Sequence, residues 1–217
     1  MEQVERHPDT RQRLLDAAGE DFAAHGFRQA TVREICHQAS ANIAAVNYHF
    51  RDKEGLYVEV LREAQRAAHA KYPSTLGLGP DATPEQRLHA YVRSSLLRVL
   101  DPGRPAWHGV LMAREMVEPT AALDVLIEES VRPRHALLMV ILRDLVGADV
   151  PEERLRLCAQ SIIGQCVYYF YGRYVLTRLQ PPEQREPFDV ERLADHITEF
   201  SLGAMRHIAD LTGSVAC

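Results

Sequence analysis

Helix start and stop signals crowd the first quarter of this 217-residue chain, so closely that only short helices fit between them. Asp9 or Thr10 suits the N-cap of a first helix over residues 9–25. Within it Leu15, Ala18 and Phe22 recur at helical spacing beside Leu14. Gly26 stands where a glycine just past the last turn stops a helix. Thr31-Val-Arg-Glu34 is the pattern of a capping box. It opens a second helix, to about residue 38, that buries Ile35 and Ala39 on one side. Asn42 is the natural N-cap of a third helix over 43–49, and a fourth runs from Asp52 or Lys53 to about 71. Three short helices joined by tight turns are the layout of a domain containing a helix-turn-helix.

The remainder is expected to be helical too, since no strand pattern appears. Pro73, Gly77, Gly79, Pro80 and Pro84 mark a loop. Longer helices are predicted over 85–100, 105–117, 121–146, 152–179 and 190–211, with Pro133 kinking or splitting the third. The prolines of 180–188 separate the last two. The fold class is therefore all-α, with a helix-turn-helix domain over residues 1–56 and a helical body over 57–217.

The third helix carries the most information. At about 100° per residue, Ile43, Val46 and Phe50 share one sector of roughly 60°, expected to face the core. The opposite sector holds Ala44, Ala45 and Tyr48, flanked by Asn47 and His49. Two alanines and a tyrosine suit a face that enters a major groove. Small side chains let the backbone approach the bases, and alanine methyls can meet thymine methyls. Asn47 has the geometry to pair with adenine, and Tyr48 and His49 can donate to phosphates. Lys53, at the start of the fourth helix, and Thr31 and Arg33, at the start of the second, lie where free amides favour a phosphate.

Bulk charge does not advertise this. The chain carries 25 basic and 30 acidic side chains, net −5, and residues 1–60 are themselves net −3. That excludes a blanket electrostatic binder of nucleic acid or anionic lipid. It does not exclude a site-specific one, because Arg28, Arg33, Arg51 and Lys53 face only Glu34 and Asp52 over 28–53.

The stretches RQRLLDAAGEDFAAHGF, ATVREICHQASAN and IAAVNYHFRDKEGLY resemble the N-terminal domain of TetR-family transcriptional regulators. NIAAVNYHF with KEGLY, and later LMAREMVEPTAAL and SIIGQCVYYFYGRYVL, look like the subgroup carrying a CerR-type C-terminal domain. The resemblance implies a homodimeric, all-α, ligand-responsive regulator, most simply a repressor released from a pseudo-palindromic DNA operator by a small-molecule effector. By similarity, DNA contacts fall on Thr31, Arg33, Asn42, Ala44, Ala45, Asn47, Tyr48, His49 and Lys53. Ala45 stands where the family often has a hydroxyl, which puts Asn47 forward as the base reader. Ser40 stands where this turn commonly has glycine, so a positive φ there would be mildly strained.

In the body, Leu155, Ala159, Ile162, Cys166 and Tyr169 form one long stripe, and Leu193, Ile197, Phe200, Ala204 and Ile208 another. Such stripes want partner helices, and two from each subunit would build a four-helix dimer interface. An intramolecular core is the alternative. Tyr91, Trp107, His108, Met112 and Tyr168 mix apolar bulk with polar handles and are the candidate ligand residues. Core packing is the alternative for these five, and the sequence leaves open whether Arg114 and Glu115 pair across helices or touch a ligand.

Other functions find little support. The longest apolar run, 136–142, is far short of the roughly 20 residues that span a bilayer, and residues 1–10 lack the makings of a signal peptide. No histidine has another three or four residues away, so neither a metal nor another cofactor is expected. Cys36, Cys158, Cys166 and Cys217 form no C-x-x-C pair and read as buried thiols of a cytoplasmic protein. An enzyme built on Cys166, a histidine and a carboxylate has no local motif. An interaction module without DNA binding would have no use for the face around Asn47 and Tyr48.

Overall fold

The computed structural model describes residues 9–213 except 102 and 104; Cys217 and most of the polar N-terminal stretch lie outside the described residues. The helices are α1 (Thr10–Gln29), α2 (Val32–Gln38), α3 (Ile43–Phe50), α4 (Lys53–Lys71), α5 (Pro84–Leu100), α6 (Ala106–Val117), α7 (Ala122–Leu126), α8 (Arg132–Val146), α9 (Glu152–Tyr171), α10 (Arg173–Leu179) and α11 (Val190–Gly213). Among the described residues there is no strand, and no helix is long and apolar enough to cross a membrane.

Contacts divide the chain into two compact units. The first joins the residues up to Ala67 with Gly103–Glu129, and the second takes most of the rest. Within the first unit α6 packs on α1. Gly19 makes that packing possible: a Cβ there would sit 2.6 Å from the Trp107 ring.

In the first unit, Leu14, Leu15, Ala18 and Phe22 of α1 close over Ile35, Val46, Phe50, Leu56 and Leu61. Gly26 adopts φ 78°, and α1 makes a last turn beyond it to Gln29. The end of α2 is a Schellman motif, in which Ala41 N–H donates to Cys36 O (2.9 Å) and Ser40 N–H to His37 O (3.1 Å). Its left-handed position is Ser40, at φ 48°. Because a side chain costs about 1 kcal/mol in that conformation, Ser40→Gly is expected to stabilise the unit by roughly that amount. A urea melt checks this, and an unchanged midpoint would refute the strain.

Thr31 Oγ1 accepts from Glu34 N–H at 3.2 Å, one half of the box expected there. A complete reciprocal box forms at Thr83 and Gln86 instead.

The second unit packs α5, α8, α9 and α11 around Leu88, Leu96, Leu138, Leu142, Ile162 and Ile197. Pro133 falls in the first turn of α8, and a π-helical turn, Ile127–Val131, precedes it. The run expected over 121–146 is thus split, as a proline lacking its N–H demands. The helix expected over 152–179 is broken as well. Gly172 separates α9 from α10, and a Cβ there would lie 2.8 Å from Tyr168 O.

Candidate nucleic-acid interface

The α3 helix is fastened at both ends by local chemistry. Asn42 Oδ1 accepts from Ala44 N–H at 3.0 Å, the N-cap expected. At the other end Arg51 takes φ 75° and its N–H donates to Asn47 O at 3.2 Å. The chain then turns into α4, where Asp52 Oδ1 accepts from Gly55 N–H at 2.7 Å. Val46 and Phe50 are buried, so the opposite face of α3 points outward.

On that face Ala44 and Asn47 are exposed, Tyr48 is 83 % exposed, and Ala45 and His49 are half-buried. The Tyr48 ring meets His49 edge-on, 4.9 Å between centroids. Ile43, expected in the core, is 48 % exposed. It is the first residue of α3, and a helical Cβ leans toward the N-terminus, so its side chain projects past the helix end instead of onto the core.

Thr31 and Arg33 are exposed at the start of α2. Lys53 is half-buried rather than free. Its Nζ lies 4.8 Å over the Phe27 ring and donates to Arg28 O at 3.4 Å, tying the start of α4 to the end of α1. Arg28 and Arg51, exposed beside these residues, add positive charge. The nine candidate DNA contacts all lie in the first unit, on α2, α3, the start of α4 and the turns between them. The arrangement offers a narrow, small-residue ridge with one amide and one phenol at its crest, flanked by cations.

Arg114 and Glu115 do pair across helices. Arg114 donates from Nε to Ala23 O and from Nη2 to Ala24 O, both at 3.1 Å, a cation at the carbonyl end of α1. The buried Glu115 accepts from Tyr57 Oη at 2.7 Å and from the Thr120 amide and hydroxyl at 3.1 Å. Burial, then that bond to Glu115, push the Tyr57 hydroxyl above its usual range.

The candidate ligand residues are dispersed. Trp107 and Met112 pack against the first unit's core, with Met112 Sδ accepting from Gln65 Nε2 at 3.0 Å. His108 is buried, its ring 4.0 Å from Trp107. Tyr91 lies buried in the second unit, where it lines a cavity of about 130 Å³. Tyr168 is 53 % exposed on α9. Sequence reasoning missed Ser95 and Arg134 beside Tyr91, since each is a polar residue in the register of an apolar stripe, four positions from Tyr91 and from Leu138.

The two stripes divide between the core of the chain and its outer surface. Leu155, Ala159, Ile162, Cys166 and Ile197 are buried in the core of their own chain, and Tyr169, Leu193 and Ile208 pack against it. The helices α5 and α8 already cover them. Phe200, at 64 % exposure, and Ala204 do face outward. On the outer face of α11 they align with His196, Gly203, His207 and Leu211. The matching face of α9 shows Leu157, Ser161, Gly164 and Tyr168. Arg154, one turn before Leu157, brings a positive charge to the end of the α9 face, and a Cβ added at Gly164 or Gly203 would have nothing within 4 Å. Cys166 is no nucleophile: burial pushes its thiol up to about 12.

Residues 14–60 match the family model of bacterial regulatory proteins of the tetR family, and residues 84–205 that of the C-terminal domain of the HTH-type transcriptional dual regulator CecR. The chain is a TetR-family transcriptional regulator. CecR is the subgroup expected from the sequence as CerR-type. The CecR protein of Shigella flexneri is 28 % identical over 171 residues, 75 % of this chain and 76 % of its own. The transcriptional regulator SrpR of Pseudomonas putida is 28 % identical over 156 residues, covering 72 % and 69 %. Among solved structures, the fatty acid degradation regulator FadR of Bacillus halodurans superposes with a TM-score of 0.64 at 18 % identity, covering 91 % of this chain and 97 % of its own. AibR, in complex with isovaleryl coenzyme A and operator DNA, gives 0.64 at 16 %, covering 88 % and 97 %. Those two show the fold. This TetR-family regulator thus binds DNA through its helix-turn-helix and belongs to a non-enzymatic family.

Proposed function

We propose that this TetR-family chain is a homodimeric repressor released from a pseudo-palindromic operator by a small-molecule effector. The first 56 residues read DNA, and residues 57–217 carry the effector site and the dimer interface. The observation that carries the reading is the outward face of α3, with Tyr48 and Asn47 at its crest and no packing role for either. Asn47 reads a base, Ala44 and Ala45 permit close approach, and Tyr48, His49, Thr31, Arg33 and Lys53 fix register on phosphates. Asn42 holds the helix start. The dimer joins the outer faces of α9 and α11, whose small-residue surfaces, with Arg154 at one end, suit a twofold contact with a second copy. That AibR is seen with both operator DNA and an acyl-coenzyme A supports a fold able to hold both kinds of partner.

The test begins with recovery of bound fragments from genomic DNA, followed by gel shifts on the recovered operator. Tyr48→Ala with Lys53→Ala is expected to abolish the shift while leaving the assembly's mass unchanged. Asn47→Ala is expected to alter base preference, whereas Lys53→Ala weakens all sequences alike and lowers the salt slope by about 1. A double variant that shifts the operator like wild type removes α3 from the groove. Uniform loss for Asn47→Ala removes its reader role. A reporter fused to the operator gives the sign of control, and activation on deletion of the effector would overturn repression.

A further inference from the structure

The geometry points to a site for a small carboxylate with a short apolar tail, held by Arg134 in the cavity of about 130 Å³ in the second unit. It rests on the reading that the body takes an effector and names the chemistry of that effector. The cavity lies among α5, α8 and α9 and is bordered by Tyr91, Ser95, Arg98, Arg134, Ile163 and Cys166. Among the described residues no carboxylate lines it, although two guanidinium groups do.

Arg134 Nη2 donates to Ser95 Oγ at 3.2 Å, and Ser95 Oγ donates onward to Tyr91 O at 2.8 Å. Arg134 Cζ stands 5.9 Å over the Tyr91 ring. Its Nε is buried without a hydrogen-bond partner, and no ion pair of Arg134 is found among the described residues. Elsewhere in the second unit arginines hold carboxylates: Arg87 with Asp144, Arg93 with Glu191, Arg156 with Glu152. A half-buried guanidinium lacking such a partner leaves a donor unsatisfied, which is costly until an anion arrives. Its field is felt nearby. Burial raises both the Tyr91 hydroxyl and the Cys166 thiol, and the Arg134 charge opposes the shift in each.

Shape sets the rest of the ligand. The walls beyond the guanidinium are Ile163, Val99 and Val167, so the body of the ligand is apolar. A dry cavity of about 150 Å³ holds benzene, so this one has room for a carboxylate with a tail of a few carbons. Val131, exposed at the end of the π-helical turn, marks the open side; such turns recur at functional sites.

Titration calorimetry on the full-length protein tests this with sodium butyrate, butyramide and sodium phosphate, in the absence of DNA. Butyrate is expected to bind, with butyramide about tenfold weaker or worse because it brings no charge. Arg134→Met is expected to lower butyrate affinity by about tenfold or more and to leave butyramide unchanged; a purely structural role would move both. Ile163→Phe fills the cavity without touching the charge and is expected to exclude butyrate, which keeps the test decisive if Arg134→Met fails to fold. Equal affinity for butyrate and butyramide, full butyrate affinity in Arg134→Met, or no binding by wild type would each overturn the site. Phosphate binding as tightly as butyrate would overturn the apolar tail. Butyrate binding with no change in operator affinity supports the site and overturns release by this ligand.

Discussion

Phe200→Arg is expected to convert the proposed homodimer into a monomer and to weaken operator binding by roughly a hundredfold or more. Phe200 is the largest apolar side chain on the outer face of α11, beside Gly203 and Ala204, and 64 % of it meets solvent in the single chain. Buried aromatics near the centre of an interface carry most of its energy. In a twofold interface the substitution also brings two like charges together, at a cost of several kcal/mol. Each head alone would then hold one half-site, losing the gain from linked binding. Sedimentation velocity reads the mass and a gel shift the affinity. Ile162→Ala is the informative contrast. Ile162 is buried inside the chain, so its truncation should lower stability by about 2–5 kcal/mol while the mass stays dimeric. A Phe200→Arg chain that sediments like wild type would place the interface elsewhere.

Gly55→Ala is expected to destabilise the first unit by about 3 kcal/mol and to abolish DNA binding with it. Two effects oppose each other at this position. Gly55 lies in the first turn of α4, where alanine's helix propensity favours folding by at most about 1 kcal/mol. Against that, a Cβ would stand 2.0 Å from Phe50 O, a backbone atom fixed by the end of α3. The clash wins, because Phe50 is buried and Arg51, already at φ 75°, leaves the turn little freedom to open. The same turn holds Gly55 N–H on Asp52 Oδ1, so relaxing it would swing α3 away from α4. A urea melt of Gly55→Ala reads the net effect, with Gly79→Ala, in a loop with nothing within 4 Å of a Cβ, as the near-neutral control. A Gly55→Ala chain as stable as wild type would show that the carbonyl can move.

The head was legible because its signals are local. Asn42 caps Ala44, Thr31 caps Glu34, and Ser40 takes the positive φ that glycine would fill more cheaply. Each involves residues within a few positions of each other. Val46 and Phe50 turned inward as their spacing required, but Ile43 did not, because periodicity says nothing about a helix end with no turn before it. Gly172 interrupts α9 where the apolar pattern runs straight through, since a lone glycine in a helical run is as often tolerated as not.

The body was legible as helices but not as surfaces. On α9 the stripe Leu155–Ala159–Ile162–Cys166 and the face Leu157–Ser161–Gly164–Tyr168 are both free of formal charge. Which one meets its own chain depends on α5 and α8, separated from α9 by turns and loops. Trp107 joins α1 through Gly19, nearly ninety positions earlier. Arg134 stands among charged neighbours in RPRH and gains meaning only because Tyr91, Ser95 and Cys166 fold around it. Caps, turns and helix periods are short-range chemistry, written in consecutive residues. The inward choice between two apolar faces, and the separation of one guanidinium from the carboxylates of the described residues, are set by long-range contacts that no window along the chain contains.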